Sequence, residues 1–371
     1  MDRAHGAVVI GGGQTGLAAG HHLARRGIDF VMLEANDRIG DVWRSRWDSL
    51  RLYSPAKYDS LPGMSFDGPG HRFPTASEMG DYLEAYAERQ QLPIRTGVTA
   101  TRVRADADGY AVETSHGTIV ARQVIVATGP FQHPYVPEMA RELDPAIRQI
   151  HSADYRSPDQ LADGAVLVVG LGHSGADIAH EAALAGHRTT VAGAFHGQLP
   201  FSVDSRRARV AWPVLRFVGM NLLTLRTPIG RKMAPKIRHG GGPLLRYRRP
   251  ELLDAGVELR EARLVGARDG RPLLSDDSVH DVSTVVWCTG FRPDFRWVEP
   301  ASLDEHGWPL QERGLAVGAP GLYFLGIPFL FGFASMLVLG ADRDAAFVAD
   351  AVARRATTDG QSVSGKRQEA A

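Results

Sequence analysis

Residues 7–34, AVVIGGGQTGLAAGHHLARRGIDFVMLE, decide the fold. Val8, Val9 and Ile10 form an apolar run that enters a turn in which Gly11, Gly13 and Gly16 take the three glycine places of GxGxxG. Leu17, Ala18, Leu23 and Ala24 carry a helical pattern to Gly27, and a second apolar run ends at Glu34. In such a strand–turn–helix–strand unit the first glycine makes the tight turn, the second admits a pyrophosphate to the backbone, and the third lets helix pack on strand. The pyrophosphate sits at the helix N-terminus, on free N–H groups and the positive end of the dipole. Glu34 closes the second strand, where a carboxylate can accept hydrogen bonds from both ribose hydroxyls. The stretch predicts an α/β dinucleotide-binding domain.

The unit occurs twice. Residues 166–193, VLVVGLGHSGADIAHEAALAGHRTTVAG, place Gly170, Gly172 and Gly175 in the same turn, followed by His173 and Ser174 where Gln14 and Thr15 stand in the first copy. Gly11 to Gly170 and Gly27 to Gly186 both span 159 residues, so the repeat is in register. Glu34 corresponds to Gly193, so the second copy lacks the ribose-binding acid and its repulsion toward a 2′-phosphate. No arginine follows to pair with such a phosphate: Ala194, Phe195 and His196 do, and Arg188, Arg206 and Arg207 are the nearest in sequence. A strict NADP site carries an arginine nearby, so NADH and NADPH both remain open. Two nucleotide sites in one chain are the pattern of a flavoenzyme fed by a nicotinamide.

The loop 35–62 contains GDVWRSRWDSLRLYSP at 40–55. Trp43, Trp47, Arg44 and Arg51 beside the first turn suit either a wall and anchors for a flavin ring or core filling under a long loop. A helix is expected over 75–91, with Thr75 and Glu78 as a capping box and Met79, Tyr82, Leu83 and Tyr86 as its apolar stripe. Strands near 94–104, 109–114 and 117–128 end in Ala127-Thr128-Gly129, a strand end that a cofactor can approach closely, and Pro130, Pro134 and Pro137 exclude a helix after it. Residues 198–250 break the α/β rhythm with an apolar stretch around 211–225 and many arginines. They read as a helical insertion bordering a hydrophobic tunnel or resting on a membrane surface, or as a packed cover with a solvated basic face. Cys288-Thr289-Gly290 resembles Ala127-Thr128-Gly129 and is read as the return to the first domain. A helix beginning near Ala334–Ser335 would aim N–H groups at a flavin's pyrimidine edge, or is a plain core helix. Residues 356–371 are polar and small and are expected to be disordered.

With 371 residues the chain has room for two domains. Forty-two basic and 42 acidic residues balance, and no charged tail appears, which argues against a nucleic-acid partner. The single cysteine, Cys288, excludes a disulfide framework, a CxxC redox pair and a thiolate metal site within one chain, and its place at the end of an apolar strand reads as a small hydrophobe. No run reaches the length of a membrane span, and a core strand at residue 7 leaves no room for a signal peptide, so a cytoplasmic location is expected. A small-molecule substrate, a possible homodimer and no integral membrane segment complete the expectation.

Over nearly its whole length the chain resembles the class B flavin-containing monooxygenases, in particular the short bacterial members related to the plant YUCCA-type and sulfide-oxidising enzymes. The resemblance rests on both glycine turns, Glu34, the 40–55 loop, Ala127-Thr128-Gly129, His151-Ser152-Ala153-Asp154-Tyr155, Cys288-Thr289-Gly290-Phe291 and GLYFLG at 321–326. It implies two Rossmann-like domains, the second inserted into the first: an FAD domain of residues 1–155 and 285–355, and an NAD(P) domain of residues 156–284. It also implies an FAD site of Gly11, Gly13, Gln14, Thr15, Gly16, Glu34, Ala35, Val42, Trp43, Arg44, Leu52, Val98, Ala127, Thr128, Gly129, Ser335 and Met336. The NADPH or NADH site would be Gly170, Gly172, His173, Ser174, Gly175, Ala194, Arg206, Cys288, Thr289 and Gly290, with Arg51, Tyr53 and Ser54 nearest the reacting flavin. In the family, reduced flavin captures molecular oxygen as a C4a-hydroperoxide and passes one atom to sulfur, nitrogen or a ketone. Two places depart from the pattern. Pro145 and Ile147 occupy the phenylalanine and glycine places of the linker motif FxGxxxHxxxY/F, and Tyr53-Ser54 stand where many members have an asparagine near the flavin. An NAD(P)H oxidase or flavin reductase of the same fold, and a nucleotide-binding protein without turnover, are the alternatives.

Overall fold

The computed structural model describes residues 4–369. Strand β1 (Ala7–Ile10) lies inside a seven-stranded sheet, paired in parallel with β2 (Phe30–Leu33) on one side and Val124–Val126 on the other. Helix α1 (Gln14–Arg25) connects β1 to β2. Every residue of β1 and β2 is buried, because this sheet is covered on both faces. The pleat divides them. Ala7, Val9 and Met32 face a layer of three helices, α1, Ala76–Arg89 and Val338–Glu369, while Val8, Ile10, Val31 and Leu33 face the antiparallel meander of residues 100–121 and residues 295–331. The Ala76–Arg89 helix has the expected capping box: Thr75 Oγ1 accepts from the Glu78 N–H at 3.1 Å, and the Glu78 carboxylate accepts from the Thr75 N–H at 2.7 Å.

The second sheet has five parallel strands in the order Glu258–Arg260, Thr189–Ala192, Val166–Val169, Thr284–Trp287 and Arg148–His151. This corrects the expected boundaries, because 148–151 and 284–287 both belong to the second domain. The reason is visible in the duplication. Thr284–Trp287 flanks Val166–Val169 as Val124–Val126 flanks β1, so Cys288-Thr289-Gly290 is the second domain's own copy of Ala127-Thr128-Gly129, not a mark of re-entry. The chain returns after Gly290, where Phe291–Arg292 pairs with His133–Pro134.

The insertion contains the helices Arg206–Phe217 and Pro228–His239. Trp212 leans on Tyr58 and Phe73 of the first domain, with ring centroids 5.9 and 6.4 Å away. The last helix starts at Val338 after a 3₁₀ turn at Phe333–Met336, slightly later than expected. It continues to Glu369, where a disordered tail from 356 was expected. Residues 356–369 contain no proline, and their two glycines, Gly360 and Gly365, each cost a helix only about 1 kcal/mol.

Candidate active site

In the first turn Gly11 has φ +110°, and a Cβ there would stand 2.5 Å from the Ala127 carbonyl oxygen. A Cβ on Gly16 would stand 2.0 Å from the carbonyl oxygen of Gly11. These two positions hold turn, strand end and helix in contact that only glycine permits. Gly13 is different: a Cβ there meets nothing within 4 Å. Gly13 begins α1 without a side-chain cap, and the first turn, with Gln14, Thr15 and Gly16, carries no acid. Its N–H groups and the positive dipole end therefore face open space, as a pyrophosphate requires. Glu34 is held beside them. One carboxylate oxygen accepts from the Gly12 N–H at 2.7 Å and the other from the Asn36 N–H at 2.9 Å. Ala35 is exposed next to it, Val98 donates its N–H to the Glu34 carbonyl, and Thr128 and Gly129 sit at the exposed end of the neighbouring strand.

The second turn repeats this geometry. Gly170 has φ +116°, with a notional Cβ 2.3 Å from the Cys288 carbonyl oxygen, and that of Gly175 lies 1.8 Å from the Gly170 carbonyl oxygen. Gly172 again opens a helix, His173–Leu184, without a side-chain cap, but it is less open: the Gly242 carbonyl oxygen lies 3.8 Å from its notional Cβ. The loop carrying Gly242 also closes on His173, whose ring packs 5.2 Å from that of Tyr53. Burial lowers the His173 pKa to about 4, so the ring is neutral. The first cradle is open and the second is partly covered by its own insertion.

Beside the helix of the second turn lies a buried polar junction. Tyr53 Oη donates to Asp177 Oδ2 at 2.9 Å. The Arg246 guanidinium stands 5.0 Å over the Tyr53 ring and donates to the Leu52 carbonyl at 2.8 Å, the Arg51 carbonyl at 3.2 Å and Asp177 at 3.4 Å. Burial pushes the Asp177 carboxyl up to about 6, opposed by the charge of Arg246. Three distant segments thus meet: the 40–55 loop, the helix of the second turn and the end of the insertion.

A model of the pyridine nucleotide-disulphide oxidoreductase family matches residues 8–202. The chain is 36% identical over 342 residues to an uncharacterized CzcO-like oxidoreductase of Geobacillus kaustophilus, covering 92% of this chain and 96% of that protein. It is 35% identical over 177 residues to the indole-3-pyruvate monooxygenase YUCCA1 of Oryza sativa, covering 47% of this chain and 44% of that protein. Its structure is similar to a flavin-containing monooxygenase from Stenotrophomonas maltophilia, with a TM-score of 0.75, 29% identity, and 94% of this chain and 98% of that chain covered. The chain belongs to the class B flavin-containing monooxygenase family. It is an oxidoreductase of the flavoprotein-monooxygenase kind, with the two-Rossmann-domain architecture of that family.

In this monooxygenase some candidates are engaged in holding the fold. Arg44 is saturated by Asp41, Asp81, Glu84 and the Ile39 carbonyl, and clamps the loop to the Ala76–Arg89 helix. Trp47 is buried with Tyr155 and Ile178 in the second domain's core, so core filling is the right reading of that residue. Trp43 is half-buried between two cores, and Val42 beside it is exposed. Arg51 is exposed and its backbone bridges Thr75. Ser335 uses its hydroxyl to accept from the N–H groups of Phe331 and Gly332, and Met336 is half-buried beside it. Burial raises the Cys288 thiol, which keeps it protonated, while Thr289 donates to the Tyr135 carbonyl and the Gly290 carbonyl accepts from Tyr135 at 3.0 Å. His151 Nε2 lies 3.1 Å from the same Gly290 carbonyl, so the linker histidine ties the two strand ends.

An arginine from a distant segment reaches the stretch that follows Gly193. Arg249 stands 4.9 Å over the ring of Phe195 and is paired with Glu261. Arg206, the candidate from sequence proximity, is exposed on a helix that packs against the first domain and has no polar partner among the described residues. Ala194 is half-buried beside Phe195. A cavity of 560 Å³ lined by Gly164, His187 and Arg188 opens at the N-terminal ends of the second sheet's strands, away from the turn. Ligands of such sheets bind at the carboxyl ends, so this cavity is not the site.

Ser54 donates to Asp59 Oδ1 at 2.6 Å, while Asp59 Oδ2 is buried without a partner. Burial raises the Asp59 pKa from 3.8 to about 7. A carboxyl raised on folding costs stability as pH climbs from the unfolded pKa to the folded one. Asp59→Asn is therefore expected to stabilise the protein by about 3–4 kcal/mol above pH 7. The gap should close as pH falls toward 4, in denaturant titrations of both proteins across that range.

Proposed function

We propose that the protein binds FAD in the first cradle, accepts hydride from NADPH or NADH in the second, and adds one atom of molecular oxygen to a small organic substrate. The reaction consumes substrate, oxygen, one reduced nicotinamide and one proton, and releases oxygenated product, water and oxidised nicotinamide. The observation that carries the reading is the pair of cradles of one build and unequal openness. The space before Gly13, free N–H groups at α1 and a fixed carboxylate at Glu34 fit the pyrophosphate and ribose of a dinucleotide.

Bound FAD would supply the oxygen activation. The protein's own groups orient and exclude water. The N–H groups of Gln14, Thr15 and Gly16 would hold the pyrophosphate, and the backbone at Ala127, Thr128 and Gly129 would border the ring system. Neutral His173 and the Tyr53–Asp177–Arg246 junction would form the wall between the two ligands, with no proton donated by Tyr53 while Asp177 holds it. The substrate would be a sulfide, an amine or a ketone, the classes open to an electrophilic or nucleophilic oxygen donor.

Arg249 would face the 2′-phosphate of NADPH, where the second copy lacks its acid. Arg249→Gln is expected to raise the KM for NADPH about tenfold and to leave that for NADH within about twofold, in steady-state assays with each donor.

The test is stoichiometry under labelled oxygen: one labelled atom per product and one product per nicotinamide consumed. Tyr53 and Ser54, in the place of the family's asparagine, both donate to carboxylates. That commitment favours a second reading, an NAD(P)H oxidase. Peroxide formed in place of product across sulfides, amines and ketones would decide for it.

A further inference from the structure

Between Ser205 and Pro250 the chain has twelve lysines and arginines and no aspartate or glutamate, in a protein whose charges otherwise balance. Seven of the twelve are engaged internally: Arg216 and Arg226 stand over the rings of Tyr58 and Phe331, and Arg231 donates to the carbonyls of Leu225 and Arg226. Arg238 binds the carbonyls of Pro328 and Phe329, Arg246 belongs to the junction, and Arg248 and Arg249 pair with Glu251 and Glu261. The other five, Arg206, Arg207, Arg209, Lys232 and Lys236, form no ion pair with a carboxylate among the described residues.

The Arg206–Phe217 helix carries much of this charge and has an unusual outward face. Its inner side is accounted for by buried Ala208 and by Trp212 against Tyr58. Outward stand Val210, Val214 and Phe217, exposed by 82, 64 and 56%. Their spacing of four and three residues puts them on one stripe. Arg207 flanks that stripe on one side and Arg209 on the other, while Arg216 turns over the Tyr58 ring at 5.8 Å. A surface helix ordinarily turns its apolar residues to the core and polar ones to water. This one is apolar on both faces, with Arg206 at the start of the outward stripe and its other exposed cations along the borders.

We propose that this outward face docks on a bilayer containing anionic lipids. The helix would lie in the interface with Val210, Val214 and Phe217 in the acyl boundary and the flanking guanidinium groups on lipid phosphates. It does not cross, since among the described residues no helix is long and apolar enough to span a membrane. The charge pattern chooses the occupant. A two-fold contact with a second copy would set the same unpaired cations against each other. A nucleic acid would lay phosphates over the apolar stripe. An anionic membrane surface satisfies both features at once, and the cytoplasmic leaflet has that charge.

The experiment is sedimentation of the full-length, flavin-loaded protein with phosphatidylcholine vesicles, with and without phosphatidylglycerol. Binding is expected only with the anionic lipid and should weaken as salt is raised. Phe217→Ser is expected to weaken it about tenfold. The double variant R207Q/R209Q should weaken it about tenfold or more. Both substitutions lie on an exposed face, and an unchanged flavin spectrum shows that each variant is folded. No sedimentation with anionic vesicles would overturn the proposal. So would binding indifferent to both variants, or a dimer in light scattering that Phe217→Ser dissociates without any vesicle binding.

Discussion

A Gly13→Val protein is expected to fold, to purify colourless and to stay colourless when FAD is added. Gly13 has φ −74° and ψ −177°, ordinary extended values for any residue, and a Cβ there meets nothing within 4 Å. A Cβ there therefore strains nothing, and the methyl groups of the valine would extend into the space before the free N–H groups of α1. Flavin affinity should fall about a hundredfold or more, since the pyrophosphate loses those donors and the dipole end together. Far-ultraviolet circular dichroism and a denaturant midpoint close to that of wild-type apoprotein would show that the loss lies in binding. Gly172→Val makes the complementary case. That protein should be yellow, and NAD(P)H should reduce its flavin about a hundredfold more slowly, while dithionite reduces it normally. If Gly172→Val were the colourless one, the assignment of the two cradles would be reversed.

Arg246→Leu is expected to destabilise the protein by about 3–5 kcal/mol, the cost of stranding a buried charge. Asp177 is 6% exposed and would keep only Tyr53 as a partner, and the carbonyls of Arg51 and Leu52 would lose their donor. Adding Asp177→Asn should recover part of the loss, because the stranded group is then neutral. Two single-variant losses that simply add would show that Arg246 and Asp177 act independently. Because these groups join the 40–55 loop to the second turn, the single variant should also slow flavin reduction more than it weakens nicotinamide binding.

The sequence makes the cradles readable because they are local. Three glycines, a strand before and a helix after are contiguous at 7–25 and again at 166–184, and the 159-residue offset ties the copies together. The capping box of Thr75 and Glu78 is equally local, and it formed as expected. The domain boundary was misplaced for a specific reason. Cys288-Thr289-Gly290 looks like Ala127-Thr128-Gly129 because it holds the same place in the other repeat, and only strand pairing distinguishes equivalence from return.

The polar junction was out of reach for another reason. Tyr53 and Asp177 are 124 positions apart and Arg246 is 69 beyond Asp177, so no spacing rule brings them together. The approach of Arg249 to Phe195 is equally non-local. Phe195, three residues past the strand end at Ala192, gives no sign in sequence of the segment that covers it. In sequence the Arg44 guanidinium, on a loop, has no visible partner and reads as a possible cofactor anchor. The structure supplies Asp41, Asp81 and Glu84.

The proposed function divides the labour between twin turns, one keeping a flavin and the other receiving its electron donor. Anaerobic rapid mixing of the purified yellow protein with NADPH, and separately with NADH, measures this directly through the flavin absorbance. Bleaching is expected to saturate with donor concentration for at least one of them and to be lost in Gly172→Val. A bound flavin that dithionite reduces, but that neither nicotinamide bleaches, would contradict it.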